Sequence, residues 1–376
     1  MSTNGRKRFK VLDRIDSDVF VELSAEQHAQ KKKILSQSVE QIDLEKIQGI
    51  DQLVEAYGNA SIQARNIGQC AHVFEQMLTD KDRPTILLGL AGPLIAAGLR
   101  KVIRDMITNR LVDVVVSTGA ILYQDLYQAV GFRHALGSAD ADDKKLRDLY
   151  IDRIYDTYVD EESFWKLDCS VGKFADELKP GNYSSRQFLF ELGSAVDDDQ
   201  SILACAARQG VPVFAPAIND SSIGIGLTDH YHRCVTQKKP GVTIDSIRDN
   251  YELTQIVVKS PCTSAVYIAG GVPKNYINDS VVMSYIFGKD TGGHRYAFQL
   301  TTDVPHWGGL SGSTLSEATS WGKVSKKATH AMAFVEPSVS LPLVAGAMLK
   351  KGAAKGRSQL TLEWDSPLLT KLSAQK

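Results

Sequence analysis

A lysine at the end of a glycine-flanked segment is the residue with the most chemistry open to it. Gly308-Gly309-Leu310-Ser311-Gly312-Ser313 reads as a flexible loop, and it leads into Glu317-Ala318-Thr319-Ser320-Trp321-Gly322-Lys323. Beside an indole, Lys323 is either a surface charge that snorkels along the ring or an imine-forming nucleophile. The second role requires partial burial. Three other stretches place small residues where a ligand can approach the backbone: Gly89-Leu90-Ala91-Gly92-Pro93, Ser117-Thr118-Gly119-Ala120 and Ala269-Gly270-Gly271-Val272-Pro273. Each follows an apolar β-type run, the position at which doubly wound folds bind nucleotide phosphates. None completes G-x-G-x-x-G, so tight packing competes with ligand binding as the reason for each glycine. Asp229-His230-Tyr231-His232 with Cys234 has the residue types of a metal site. On a strand His230 and His232 would point the same way. No further cluster at familiar ligand spacing completes a set, so no metal is expected.

The elements that must position these residues alternate along the chain. Residues 85–89 and 112–116 read as strands. Pro93 suits a first helical position and opens a helix expected to reach about residue 109, with Leu94, Leu99, Ile103 and Ile107 near helical spacing. A second helix is expected over 121–130. The alternation resumes with helices over 200–209, 244–253 and 276–286, each preceding a strand, at 211–214, 264–269 and 295–301. A strand over 329–335 and a helix over 341–351 close the series. Short, nearly continuous apolar runs suit strands covered on both faces. The expected fold is α/β: a Rossmann-like doubly wound, mostly parallel sheet of about six or seven strands with helices on both faces.

Three segments stand apart. Residues 1–45 form a polar leader, helical over 22–48, where Gln, Lys and Glu dominate. Residues 135–162 carry dense charge and read as an excursion from the sheet edge. Residues 356–376 read as a C-terminal tail, which leaves 46–355 as a single domain.

Composition narrows the functions. The chain has 376 residues, 43 % hydrophobic and 23 % charged, which excludes a disordered chain, a collagen-like fibre and a coiled-coil rod. Lys plus Arg is 43 against 44 Asp plus Glu, a formal net charge of −1. No global basic field exists to hold a polyanion, so no nucleic-acid partner is expected. The five cysteines are scattered, odd in number and lack C-x-x-C, which argues against a disulfide framework or zinc ribbon and for a reducing compartment. The basic start has no apolar core behind it, unlike a secretory signal. The longest apolar stretch, 86–99, is broken by Gly89, Gly92, Pro93 and Gly98, and a spanning helix needs about 20 residues. A soluble cytoplasmic protein without membrane contact is expected.

The segment Ser316-Glu317-Ala318-Thr319-Ser320-Trp321-Gly322-Lys323 resembles the catalytic segment of the deoxyhypusine synthase family, which also includes homospermidine synthases. The resemblance runs from near Gln63 to near Lys351. It includes Gln63-Ala64-Arg65-Asn66-Ile67-Gly68, Leu146-Arg147, Asp152-Arg153-Ile154, Pro212-Val213-Phe214-Ala215-Pro216-Ala217, Asp220 and Gly270-Gly271-Val272. It implies a Rossmann-like homotetramer with active sites at subunit interfaces. It also implies use of NAD to take a hydride from the carbon beside a polyamine nitrogen. The imine passes to a lysine, then to an acceptor amine, and the hydride returns. By the resemblance Lys323 is the covalent carrier and Trp321 the wall beside it. Glu317, Asn275 and Gln124 fall at substrate-facing positions. Gly92, Thr118, Gly119, Asp220, Gly270, Gly271, Thr302 and Glu336 fall at cofactor-facing ones, with Glu336 where the family usually has Asp.

The departures from that pattern concern charge. Ala91-Gly92-Pro93 replaces the family's Thr-Ser-Asn, so two side-chain donors to the cofactor are lost. Tyr123 and Gln124 replace a pair of glutamates. Ile225, Trp307 and Leu310 replace aspartates, and Asn275 replaces a histidine. A polyamine with two or three ammonium groups needs negative partners once desolvated. The resemblance therefore implies an NAD-dependent aminoalkyl transferase with an altered amine donor or acceptor. Two other readings stand beside it: a true deoxyhypusine synthase acting on a lysine of the hypusine-bearing translation factor, and an NAD-binding scaffold or regulatory subunit paired with an active paralogue.

Overall fold

Residues 9–11 and 22–374 are described by the computed structural model, and they divide into two units, up to Glu40 and from Gln41 onward. The first unit holds one helix, Ala25–Ile34. Ser24 and Gln27 form a reciprocal capping box, and Lys31, Lys32 and Lys33 occupy the last turn, where the helix dipole favours cations. The helix buries none of its residues. Without an apolar stripe to pack, helicity does not extend over the expected 22–48. After Ile34 only a short 3₁₀ turn, Leu44–Lys46, follows before residue 50. The rest of the leader, 1–8 and 12–21, lies outside the described residues.

The second unit is built on one six-stranded sheet. Its strands are β1 (Thr85–Leu90), β2 (Val114–Ser117), β3 (Val213–Phe214), β4 (Thr263–Ile268), β5 (His294–Leu300) and β6 (Val324–Ala333). In space the order is β3-β2-β1-β4-β5-β6, and every pairing is parallel. The chain winds outward through β2 and β3, then returns to the other side of β1 with β4. That reversal is the topological switch point of a Rossmann-type sheet, with its crevice between the exits of β1 and β4.

Successive residues of the strands feed two cores. Ile86, Leu88, Leu90, Val115, Val266, Ile268, Phe298 and Leu300 belong to one. Leu87, Val114, Val116, Ala265, Tyr267 and Ala297 belong to the other. Neighbouring side chains point to opposite faces, so a strand covered on both faces must be apolar throughout. The second core is roofed by α2 (Gly271–Ile286) and the Ser246–Lys259 helix. On the first lie the Ile62–Thr79 and Pro337–Lys351 helices and α1 (Gly119–Ala129).

Several expected boundaries move. The helix expected from Pro93 begins at Arg100, because Gly98 takes a left-handed φ of 85° and interrupts any right-handed helix started at Pro93. β3 is shorter than 211–214, since Pro212 has no N–H for a ladder and β3 is an edge strand. β6 starts at Val324 rather than 329: after His294↔Val324 the register with β5 jumps to Tyr296↔Thr329. Residues 135–160 include a small antiparallel sheet of Ala135–Leu136, Ile151–Ile154 and Thr157–Asp160. The C-terminal segment is no tail. Leu360–Asp365 and Leu368–Ala374 form an antiparallel hairpin.

Candidate active site

The six strands of a parallel sheet all end at one edge, and the expected cofactor residues follow those ends. In spatial order, Asp220 follows β3, Thr118 and Gly119 follow β2, Gly92 follows β1, Gly270 and Gly271 follow β4, Thr302 follows β5 and Glu336 follows β6. At the switch-point crevice the backbone is bare. Gly92 has a left-handed φ of 86°, and the nearest atom to an added Cβ there would be the Ala269 Cβ at 3.9 Å. Gly271, at φ 62°, likewise meets nothing closer than 3.9 Å.

Other members of that row have structural partners. A Cβ on Gly119 would lie 2.3 Å from the Ser221 Oγ, so the glycine lets α1 pack on the turn that carries Asp220. A Cβ on Gly270 would lie 2.5 Å from the Ser311 Cα, and the Gly271 N–H donates to Ser311 Oγ at 2.9 Å. The glycine loop thus rests directly on the β4 exit. Glu336 caps the Pro337–Lys351 helix through the Ser338 N–H. Asp220 and Thr302 are exposed.

Lys323 has a different origin. It precedes β6, and its carbonyl accepts from the His294 N–H at the start of β5, so its backbone lies at the level of the strand starts. Its side chain runs beside α2 and is 14 % exposed. The Nζ lies 3.2 Å from Asp279 Oδ1 and 5.4 Å from the centroid of the Trp321 ring, itself 66 % exposed. Asp279 Oδ2 accepts from Asn275 Nδ2 at 2.9 Å. Lys323, Trp321 and Asn275 are therefore brought together through Asp279, which sequence reasoning missed. Its signal was the i,i+4 spacing from Asn275, which puts both on one face of a helix. From Gly271 to Asp279 α2 rises about 12 Å, which links the glycine row to the lysine.

A second lysine was also missed. Lys274, in the first turn of α2, is 1 % exposed. Its Nζ donates to Gln299 Oε1 at 2.9 Å, to the Leu310 and Ser313 carbonyls at 3.1 and 2.7 Å, and to Ser313 Oγ at 3.0 Å. Gln299 donates in turn to the Ala269 and Ser311 carbonyls. The pair clamps the glycine loop over the β4 exit. Burial pulls the Lys274 ammonium down to about 8, against the opposing pull of Glu317 and Asp303, while Lys323 adds to the lowering. Glu317 stands in the first turn of α3 (Leu315–Ser320), exposed.

Gln124 is not in contact with this cluster. Its Oε1 accepts from the Ala96 N–H at 3.2 Å and steadies the turn after β1. Tyr123 is buried and donates to the Phe164 carbonyl at 2.9 Å; burial, with Asp168 beside it, pushes its phenol up. Ile225, Trp307 and Leu310 are exposed apolar residues.

His230 and His232 lie on the Ser222–Gln237 helix rather than on a strand, and they face apart: His230 is buried and His232 exposed. Asp176 supplies the third ligand type that spacing did not reveal, close to His230 and Cys234. Yet His230 Nε2 accepts from the Val242 N–H at 2.9 Å, so its Nδ1 carries the proton that faces Asp176 at 2.5 Å. Arg233 also pairs with Asp176. In this arrangement His230 keeps no lone pair for a metal.

The model of the deoxyhypusine synthase family matches residues 52–348. A "Probable deoxyhypusine synthase 2" of Methanosarcina mazei is 41 % identical over 326 residues, 86 % of this chain and 93 % of that one. A deoxyhypusine synthase-like protein of Chlorobaculum parvum is 41 % identical over 340 residues, 89 % and 95 % of the two chains. Among solved structures, a "putative deoxyhypusine synthase" from Entamoeba histolytica aligns with a TM-score of 0.55 at 16 % identity, covering 83 % of this chain and 97 % of that one, which supports the fold. The extent of the family match and the identity to these relatives agree: the chain belongs to the deoxyhypusine synthase family.

Proposed function

We propose that the chain is an NAD-dependent transferase that moves an aminoalkyl group from a polyamine-type donor to an amine acceptor, carried as an imine on Lys323. The observation that carries this reading is Lys323 itself: largely withdrawn from water, beside the Trp321 ring, and held by a carboxylate within a family-like frame. A nucleophilic lysine needs that partial burial.

The strand exits suit NAD. The bare backbone at Gly92 and Gly271 lies at the switch point, where a dinucleotide diphosphate can approach the main chain closely, although the Gly271 N–H itself is taken by Ser311 Oγ. Gly270, Thr118 and Gly119 border that crevice, and Asp220, Thr302 and Glu336 stand along the same edge, with carboxylates available to ribose hydroxyls. When bound, NAD supplies the hydride acceptor for the carbon beside the donor nitrogen. The chain's own part is to hold the amine along Trp321, keep Glu317 near its positive charge, and present the Lys323 Nζ to the imine carbon.

The substrate is altered from the family's usual triamine. Gln124 is spent on the Ala96 N–H, and Ile225, Trp307 and Leu310 offer no charge. Fewer carboxylates favour a donor or acceptor with fewer ammonium groups, a free small amine rather than a protein lysine.

Borohydride trapping with NAD and a panel of diamines and polyamines tests the reading. An adduct should appear on Lys323 by peptide mass, should require NAD, and should be absent from Lys323→Arg, whose guanidinium stays protonated. Turnover of a competent donor by that variant at the wild-type rate would sink it, and the scaffold reading would take its place. The methanogen relatives favour a second reading, true deoxyhypusine synthesis. Rapid labelling of the hypusine-bearing factor's lysine with spermidine would establish it. The same reading makes the protein a cytoplasmic homotetramer with sites shared between subunits. Among the described residues no helix is long and apolar enough to cross a membrane. Light scattering should give the mass of four chains; a one-chain mass at micromolar concentration would refute the shared site.

A further inference from the structure

Imine exchange at a lysine needs somewhere to put protons. Lys323 must pass from ammonium to amine before its Nζ attacks, and the departing nitrogen must gain protons to leave. The family's histidine position is filled by Asn275, whose amide cannot take a proton. Among the described hydrogen bonds and ion pairs of Lys323, the carboxylate is that of Asp279, 3.2 Å from Nζ and 39 % exposed. Its other oxygen is fixed by Asn275 Nδ2 at 2.9 Å, one helical turn away.

Other charged or titratable groups lie near this pair. Lys274 and Tyr276 lie on α2, Glu317 on α3 and Asp303 in the loop after β5. The Lys274 Nζ is spent on the glycine loop and Gln299. The Tyr276 hydroxyl donates to the Ser246 carbonyl. Glu317 and Asp303 are exposed.

We propose that Asp279 is the proton acceptor and donor for Lys323 in imine exchange, with Asn275 as its positioning residue; the inference rests on Lys323 being the covalent carrier. The exchange balances without an oxidant. The donor enters as a protonated imine: Nζ, starting as an ammonium, forms the new C=N bond to the imine carbon, and the old C=N bond to the donor nitrogen breaks with its electrons going to that nitrogen. Two protons leave Nζ and two arrive on the departing nitrogen, each by way of the Asp279 carboxylate. The donor fragment leaves as an ammonium ion, Lys323 is left as an iminium, and Asp279 ends ionised as it began.

Asp279→Asn tests this, since it keeps the size and one acceptor oxygen but cannot take a proton. Two readouts should move in opposite directions. Trace acetylation by acetic anhydride, mapped by peptide mass, reports how free the Lys323 Nζ is to react. Loss of the carboxylate that holds it at 3.2 Å should speed labelling of Lys323 several-fold. Borohydride-trapped donor adduct should form at least about 100-fold more slowly. Asp279→Glu should restore part of the adduct rate. A purely structural role would slow both or change neither. Unchanged labelling, or adduct formation at the wild-type rate, overturns the proposal. If the wild type forms no adduct with any amine, the transferase reading fails, and the proton-transfer role of Asp279 fails with it. Faster labelling alone would then show only a charge pair.

Discussion

Asp249 shows what an acid costs when the fold buries it without a cation. It lies on the Ser246–Lys259 helix and is fully buried. One oxygen accepts from Ser185 Oγ at 2.9 Å and weakly from the Arg186 N–H at 3.4 Å, and the other has no partner. Burial pushes its carboxyl up to about 7, and the nearby charge of Glu252 adds to the rise against the Ser185 and Arg186 hydrogen bonds. The folded value thus exceeds the unfolded value of about 3.9. The folded state holds the proton longer, so stability is full below that lower value and is lost as pH rises towards about 7. Asp249→Asn should therefore melt above the wild type at pH 8, with the gap closing towards pH 4. Equal melting temperatures at pH 8 would show that the ionised acid is relieved by some other contact. At this same scale, Lys323, Trp321 and Glu317 were legible because they lie within seven consecutive positions. Asp279 and Lys274 were not, because their meaning depends on groups brought from other elements: the Lys323 ammonium and the glycine-loop carbonyls.

Elements were legible where one periodicity governs a whole run. The apolar stretches of β1, β2 and β4 are nearly continuous because their apolar residues are shared between two cores, and such a run has few alternatives to a buried strand. Boundaries depended on single backbone angles that the apolar pattern does not carry. Leu94 and Leu99 are both buried, as a helix from Pro93 would require, yet Gly98 reverses its φ between them. The His230 tract turns on periodicity as well. On a strand the two histidines would share a face, but the buried positions there, Ile223, Gly226 and His230, recur at helical spacing. The glycine loop shows the opposite case. Its composition reads as flexible, but Lys274 and Gln299 bind its carbonyls from below and Ser311 seats it on Gly271. Flexibility in the sequence became a close fit because glycine lets the loop backbone approach: a Cβ on Gly312 would lie 2.3 Å from the Val304 carbonyl oxygen.

The whole second unit is closed by an ion cluster at the edge opposite the strand exits. Asp113, just before β2, is buried and accepts from Arg83 at 2.7 and 2.9 Å and from Arg357 at 2.6 and 3.0 Å. Its Oδ2 also accepts from the Ile86 N–H at 2.8 Å. Arg357 donates further to the Arg110 and Pro84 carbonyls, each at 2.9 Å, and Arg83 donates to the Ser358 carbonyl. The segment read in the sequence as a C-terminal tail is thereby tied to the first two strands before it enters its hairpin. Burial alone would raise the Asp113 carboxyl, but Arg357 and Arg83 outweigh it and hold it below the usual carboxylate range. An acid depressed in the folded state contributes stability above its unfolded value, about 3.9, and that stability is lost as pH falls through the lower folded value. Asp113→Ala leaves two guanidinium groups facing each other with no anion, and removing one partner of a buried pair costs about 3–5 kcal/mol. Denaturant unfolding at pH 7 should show a loss of that order, and the gap to the wild type should narrow below pH 4 as the native carboxylate takes up its proton. An unchanged midpoint at pH 7 would mean that the hairpin's own packing on the Ser246–Lys259 helix, through Leu369 and Gln255, suffices to hold the C-terminal segment in place.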